Sequence, residues 1–369
     1  MRREFAADLC CPSCRSALEL ETAAPPDEAA VVEGELRCAC GRRFPVTGGV
    51  PRLLPEAAPD SLSSRTQALF GDEWQRFPEL LDVHADIFRW YFEGDGPVAW
   101  PALRVLDAGC GMGRWLHFAR EHGARIVGMD VSAAVDVAAG REGAGADFVQ
   151  ADLRCPPFPA ESFDLVYSFG VVHHVADPAA AVRTLAALVR PGGTLRLYVY
   201  RSLADEALAR RALLGAVTAV RSLTTRLPPN ALHAFSWAVS AVAAAAFLVP
   251  RRALRRWRLG DRLTRGLPLV QYADVPFRML VAEQFDRFGA PLEGRFRRDE
   301  VEEWLRGAGL EVRGVLPGLG WRAIARKPPA PTACAARPGR AGARAPPSRP
   351  LSRWSRSPRP SPATRPRAS

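Results

Sequence analysis

Lysine is almost absent from this chain of 369 residues: Lys327 stands alone among 50 basic side chains, and all the others are arginines. With Ala, Gly and Pro also abundant, that bias reads as GC-rich coding rather than a requirement for guanidinium chemistry. Acidic residues are missing from residues 327–369, where Lys327 and nine arginines supply +10 of the formal net charge of +11. Residues 1–326 are therefore nearly neutral, which argues against nucleic-acid binding by the folded part. Residues 1–9 are charged and lack the apolar segment of a secretory signal, so a cytoplasmic setting is the expectation. Eight cysteines in that setting point to metal ligation or inert thiols before disulfides. Hydrophobic residues make up 48% of the chain, enough to fill one large α/β domain with a small appendage.

Residues 105–114, V-L-D-A-G-C-G-M-G-R, read as a buried strand ending at Asp107, a glycine-rich turn, and the start of an amphipathic helix through Trp115, Leu116, Phe118 and Ala119. Glycines at such a turn let the backbone approach a ligand and tolerate positive φ. The dinucleotide spacing G-x-G-x-x-G is lacking, because Arg114 stands where its third glycine belongs. Asp107 would repel a pyrophosphate and suits a cationic ligand instead. A second strand, 124–129, ends at Asp130, which lies 23 residues after Asp107. That is near the spacing at which a carboxylate reaches ribose hydroxyls in α/β cofactor folds. The competing reading of Asp130 is a plain cap ahead of Ser132. A third strand, 146–150, leads to Asp152 and Leu153, and a proline-ruled loop feeds a fourth at 165–169.

These stretches, with A-D-L-R-C-P-P-F-P-A-E-S-F-D-L-V-Y-S-F-G-V-V-H-H-V-A-D-P at 151–178 and R-P-G-G at 190–193, resemble the class I S-adenosylmethionine-dependent methyltransferases, in their small-molecule "methyltransferase type 11" branch. The resemblance implies an α/β, Rossmann-like seven-stranded sheet with helices on both faces. It implies that Asp107, Gly109, Cys110 and Gly111 hold the amino-acid end of S-adenosylmethionine. Asp130 and Val131 would serve the ribose and Asp152 and Leu153 the adenine, with Phe169 a further cofactor contact. His173 and His174 leave the fourth strand near the methyl group, where either ring could accept the acceptor's proton; packing and hydrogen bonding are the alternative role.

At the other end, Cys11-Pro12-Ser13-Cys14 and Cys38-Ala39-Cys40 are two short knuckles whose thiolates can converge on a structural Zn²⁺. A segment of this size with few large apolar side chains needs such a staple. Residues 8–55 resemble the short zinc-ribbon proteins that pair with and activate tRNA and protein methyltransferases. The second knuckle has one intervening residue where the ribbons usually have two, and Cys10 is a rival to Cys11.

The organisation expected is a zinc ribbon at 1–55, a linker and cap helices at 56–103, a cofactor-binding domain at 104–326 with a helical insertion at 201–298, and a disordered tail at 327–369. Leu69, Phe70, Trp74, Phe77, Leu80 and Leu81 have helical spacing and predict helices over the mouth of the cofactor site. Residues 232–249 hold no ionised side chain and are followed by a run of arginines. They read as a buried lid helix, with peripheral membrane contact through 232–262 the alternative. Asp299 and Glu302 suggest a capping box, and 310–316 with 320–326 a closing hairpin. The stretch holding Tyr272, Phe285, Asp286 and Arg295 reads as irregular and as the seat of acceptor specificity. The function expected is methyl transfer to a small metabolite, lipid-linked or saccharide group; the alternative is a noncatalytic scaffold whose ribbon docks a protein or RNA. Oligomeric state leaves no signature in the sequence.

Overall fold

Short apolar runs become strands of one sheet in the computed structural model, which describes residues 1–330 apart from 26, 57–59, 203 and 205–207. The disorder expected of the tail falls, from residue 331 onward, outside the described residues. The strands are β1 (Leu18–Glu21), β2 (Gly34–Cys38), β3 (Arg43–Thr47), β4 (Val50–Leu53), β5 (Arg104–Ala108), β6 (Arg125–Asp130), β7 (Asp147–Ala151), β8 (Phe163–Phe169), β9 (Val189–Tyr200), β10 (Glu311–Pro317) and β11 (Gly320–Arg326). Their order is β1-β2-β3-β4-β7-β6-β5-β8-β9-β11-β10. From β7 to β9 the pairings are parallel, and β11 enters antiparallel between β9 and β10. Those seven strands are the Rossmann-like sheet expected. Its chain order reverses direction at β5, and the crevice beside such a reversal is where open α/β sheets bind ligands.

The helices are α1 (Ser61–Arg76), α2 (Asp82–Phe92), α3 (Arg114–Glu121), α4 (Ala134–Glu142), α5 (Pro178–Leu188), α6 (Leu208–Thr224), α7 (Pro229–Ala243), α8 (Val249–Leu254), α9 (Arg258–Thr264), α10 (Phe277–Gly289) and α11 (Arg298–Gly307). Local chemistry sets several of their ends. Asp60 Oδ1 accepts from the amides of Leu62 and Ser63 and opens α1. Asp177 accepts from the Ala180 amide ahead of Pro178, the first residue of α5. Gly309, at φ +75°, closes α11.

Three expectations are corrected here. The capping interaction of α11 comes from Glu300, which accepts from the Arg297 amide at 2.7 Å, whereas Glu302 pairs with Arg298 and Arg306 along the helix. The stretch expected to be irregular contains α10, whose Leu280, Val281, Phe285 and Phe288 are buried. The lid helix is not buried: α7 runs through a π-helical turn into α8, and only 28% of its most apolar 18-residue stretch is covered.

The N-terminal strands do more than form an appendage. β4 pairs in parallel with β7, Arg52 opposite Gln150 and Leu53 opposite Ala151, so the edge of the Rossmann-like sheet is extended rather than left open. Around that seam the Cys10 amide donates to the Pro157 carbonyl at 2.9 Å, Arg52 pairs with Asp136 at 2.7 Å, and Arg104 pairs with Asp8 at 2.9 Å. Phe5, Leu36, Val46 and Leu53 share one buried apolar cluster with Val149, Ala151 and Phe158. Each such fully buried side chain contributes about 1.5–3 kcal/mol of burial free energy, so the ribbon and the larger sheet stabilise one another.

Candidate functional site

The carboxyl ends of β5, β6, β7 and β8 open on a cavity of about 160 Å³. Its turn is pinned to the neighbouring strand: the amides of Gly109 and Cys110 both donate to the Met129 carbonyl, at 2.7 and 3.0 Å. Gly109 sits at φ +87°, and a Cβ there would lie 2.4 Å from the Val171 side chain, so glycine is required by the protein's own packing. A Cβ at Gly111 would lie 2.9 Å from the indole nitrogen of Trp74, because α1 closes directly over the turn.

Gly109, Cys110, Gly111, Asp130, Val131, Asp152, Leu153, Phe169 and His174 all line this cavity. Asp130 accepts from the Gly111 amide at 2.8 Å through one oxygen, and from the Ser132 amide and hydroxyl at 2.8 and 2.7 Å through the other. It therefore caps, as its alternative reading had it, while also facing the cavity. Burial raises its pKa. Asp152 is gripped by Arg154, whose Nε lies 3.0 and 2.9 Å from its two oxygens, so an adenine amino group would share that carboxylate with a guanidinium.

Asp107 and His173 depart from expectation. Asp107 is 1% exposed and does not line the cavity; Tyr167 donates to it at 3.1 Å, and burial pushes its pKa well above the carboxylate range. Its carboxylate also faces the Leu116 amide in the first turn of α3, so the side chain braces the start of that helix from behind the glycine turn. His173 is fully buried, its ring stacked on Tyr200 at 4.0 Å, and neither ring nitrogen has a partner among the described residues. Burial drives its pKa well below the usual histidine value.

His174 has the geometry its neighbour lacks. Its Nδ1 lies 2.6 Å from the Leu292 carbonyl, which can only accept, so the proton resides on Nδ1 and Nε2 keeps its lone pair. Burial lowers its pKa to about 4. Behind it, Tyr200 donates to Asp286 at 3.3 Å, and burial with repulsion from Glu283 and Glu293 lifts that carboxyl to about 7.

The helices expected over the mouth of the site are α1 and α2. Phe70 and Trp74 form part of the cavity wall, with Ser63, Thr66 and Gln67. Arg114, seen in the sequence as a misplaced residue, also lines it, its guanidinium 4.8 Å from the Trp74 ring and 5.5 Å from that of Trp115. The signal available was Leu69, Phe70 and Trp74 at helical spacing, which a buried face shares.

A second cluster lies in the N-terminal module. The Sγ atoms of Cys11, Cys14, Cys38 and Cys40 all fall within 4.8 Å of one another. Cys14 and Cys38 are 3.2 Å apart and Cys11 and Cys40 3.9 Å, bracketing the edge of about 3.8 Å in a tetrahedral zinc–thiolate site. Cys10 is buried outside the cluster, and Cys11 is the thiol that joins it. The single residue between Cys38 and Cys40 does not keep the second knuckle from closing.

Comparison with known proteins follows the same residues. The family described as "Methyltransferase domain" matches residues 106–197. Malonyl-[acyl-carrier protein] O-methyltransferase of Enterobacter lignolyticus (strain SCF1) is 39% identical over 92 residues, 25% of this chain and 37% of its own length. Ubiquinone biosynthesis O-methyltransferase of Methylocella silvestris is 30% identical over 165 residues, 38% of this chain and 64% of its own. The chain thus spans little more than a third of the first of these relatives. Among solved structures, Burkholderia thailandensis 1,6-didemethyltoxoflavin-N1-methyltransferase aligns with TM-score 0.41 and 15% identity over 84% of this chain and 99% of its own. The strand ends and the glycine turn that form the cavity thus lie within the segment, residues 106–197, that matches the methyltransferase-domain family.

Proposed function

We propose that this chain transfers a methyl group from S-adenosylmethionine to a small or lipid-linked acceptor. The observation that carries the reading is convergence: the Gly109–Gly111 turn, Asp130, and Asp152 with Leu153 open on one cavity whose wall also holds His174. These residues fit the cofactor. The half-buried Asp130 carboxylate, with three donors already on it, keeps an acceptor site for a ribose hydroxyl on the oxygen that meets only the Gly111 amide. Val131 and Leu153 flank the ring region with apolar surface, and the glycine turn backs the amino-acid end. Bound there, the cofactor would supply an electrophilic methyl carbon on a cationic sulfur.

The chain's own contribution is alignment, exclusion of water and a proton acceptor. Trp74 and Phe70 on α1 roof the cavity, so acceptor and donor meet in a shielded site where alignment is worth most. His174 can take a proton at Nε2, because Nδ1 already holds one against the Leu292 carbonyl. A ring whose pKa is lowered to about 4 is a weak base. It suits an acceptor that arrives ionised, such as a carboxylate or phenolate, better than an aliphatic alcohol. The malonyl-[acyl-carrier protein] and ubiquinone biosynthesis O-methyltransferases named above are consistent with an oxygen acceptor. The four-thiol cluster would hold a structural zinc that fixes the ribbon against β7.

The test is calorimetric titration with S-adenosylhomocysteine, followed by incubation with radiolabelled donor and fractionated extract. Saturable stoichiometric binding and label in one chemical fraction are expected. Binding without label in any fraction would leave the scaffold reading, and no binding would remove both.

A further inference from the structure

We propose that α7, α8 and α9 form a face that lies on anionic lipid bilayers. This inference is independent of the methyl-transfer reading and rests on a helix that is apolar on its exposed side as well as on the side where Phe235 and Val239 pack against the α10 cluster. Along α7 and its continuation the buried positions are Leu232, Ser236, Ser240, Ala243 and Leu248, at spacings of three to five residues. Two of those inward residues are serines; Ser236 donates to the Leu232 carbonyl, and Ser240 has no hydrogen-bond partner among the described residues. The outward stripe is Ala234, Trp237, Ala238, Ala241, Val242, Ala245, Ala246 and Val249, without one polar member. A surface helix facing water is polar on its outer side, and this one is not. Trp237, Val242 and Val249 are 43%, 69% and 55% exposed.

The exposed stripe runs about 22 Å along the axis at ~1.5 Å per residue, and its far end is basic. Residues 250–275 hold seven arginines and two aspartates. The two acids are taken: Asp261 pairs with Arg251 and Arg265, and Asp274 with Arg255. Arg256, Arg258 and Arg262 are exposed and make no ion pair with any described residue. Interleaved with them, Trp257, Leu259 and Leu263 are exposed as well, and on α9 the leucines and arginines each recur four residues apart. Of thirteen exposed large hydrophobics among the described residues, six fall between 237 and 263.

An apolar stripe next to unpaired guanidinium groups, with indoles among them, matches the layers of a bilayer interface: acyl boundary, headgroup phosphate, and the region between. A second copy of this chain would offer the same apolar stripe, but it would bring the same three arginines and no acidic group to neutralise them. A full span is excluded for this packing, because one side of α7 is held against α10 through Leu232, Val281 and Phe285.

The experiment is flotation of the full chain with vesicles of phosphatidylcholine alone and of phosphatidylcholine with phosphatidylserine. Preferential flotation with the anionic vesicles is expected. The variant R256Q/R258Q/R262Q should partition on the order of a hundredfold less, each cation near an anionic surface contributing about a factor of five. Flotation should also be lost in W237E/V242E, whose positions are exposed and outside the cofactor cavity, with S-adenosylhomocysteine affinity unchanged as evidence of folding. The proposal is overturned if the native chain floats with neither vesicle, or if W237E/V242E floats like the native chain. It is equally overturned if light scattering shows a dimer that W237E/V242E dissociates, since the face would then belong to a second copy.

Discussion

Asp130 holds the glycine turn and faces the cofactor cavity, and a pair of substitutions with a pair of ligands separates the two roles. Three donors end on its carboxylate: the Gly111 amide, the Ser132 amide and the Ser132 hydroxyl, at 2.7–2.8 Å. Asp130→Ala leaves all three unpaired, and at about 1 kcal/mol for each net hydrogen bond the turn loses roughly 3 kcal/mol. Asp130→Asn keeps one acceptor oxygen, holds the turn better, and loses the charge. A hydrogen bond from a ribose hydroxyl to the charged group is worth about 1.5–3 kcal/mol, or roughly a ten- to hundredfold change in affinity. Calorimetric titration would use S-adenosylhomocysteine and its 2′-deoxy analogue on native protein and on Asp130→Asn. The native protein should bind the deoxy analogue at least tenfold more weakly, while Asp130→Asn should bind both ligands alike and weakly. Equal discrimination by both proteins would refute the reasoning and reduce Asp130 to a brace. Because burial raises the Asp130 pKa, affinity should also begin to fall on acidification at a higher pH than for a solvated carboxylate.

Other outcomes follow from the same geometry. Elemental analysis should find one zinc per chain. Its removal by chelation should lower the melting temperature and weaken S-adenosylhomocysteine binding, because Leu53 of the ribbon is seated beside Ala151, next to Asp152. His84 and His174 are held near pKa 3 and 4 against an ordinary 6.5, and His173 is lowered too. All three are therefore neutral when folded and free to charge when unfolded. Their stabilising contribution is complete above about pH 6.5 and is lost as pH falls toward 4, while the raised carboxyls of Asp107, Asp130 and Asp286 shift stability the opposite way. On going from pH 7 to 5 the urea midpoint of His84→Gln should therefore fall less, or rise more, than that of the native protein, and an identical pH profile would mean that the ring is solvated. Gly109→Ala should destabilise by at least about 1–3 kcal/mol from φ strain alone, with partial recovery on adding Val171→Ala, read by thermal denaturation. His174→Gln should reduce turnover less than about tenfold for an ionised acceptor, and a much larger loss would point to a protonated one.

The parts of this site that were legible in the sequence are those whose chemistry is local. A positive-φ turn after a buried strand needs glycine whatever surrounds it, and an acid closing the next strand has few places to go, so the turn at 109–113 and the place of Asp130 beside it are readable from spacing. Asp107 is buried behind that turn, against Tyr167 and the start of α3, because strand alternation tells which faces differ and not which face opens on the cavity. The same ambiguity hid the roof of the cavity: Leu69, Phe70 and Trp74 have the spacing of any buried helical face, and only the approach of α1 to Gly111 shows Phe70 and Trp74 to be wall. The ribbon's cysteines were legible by pattern, but its pairing with β7 is a contact between segments about a hundred residues apart and leaves no periodicity. Helix α7 makes the limit plainest. Its composition says only that it avoids water, and burial in protein and contact with lipid satisfy that equally. The deciding fact is where Ser236 and Ser240 point. Once α10 takes the serine side, the alanines and Val242 are left uncovered, and Trp237, which meets Phe277 along one edge, keeps 43% of its surface open.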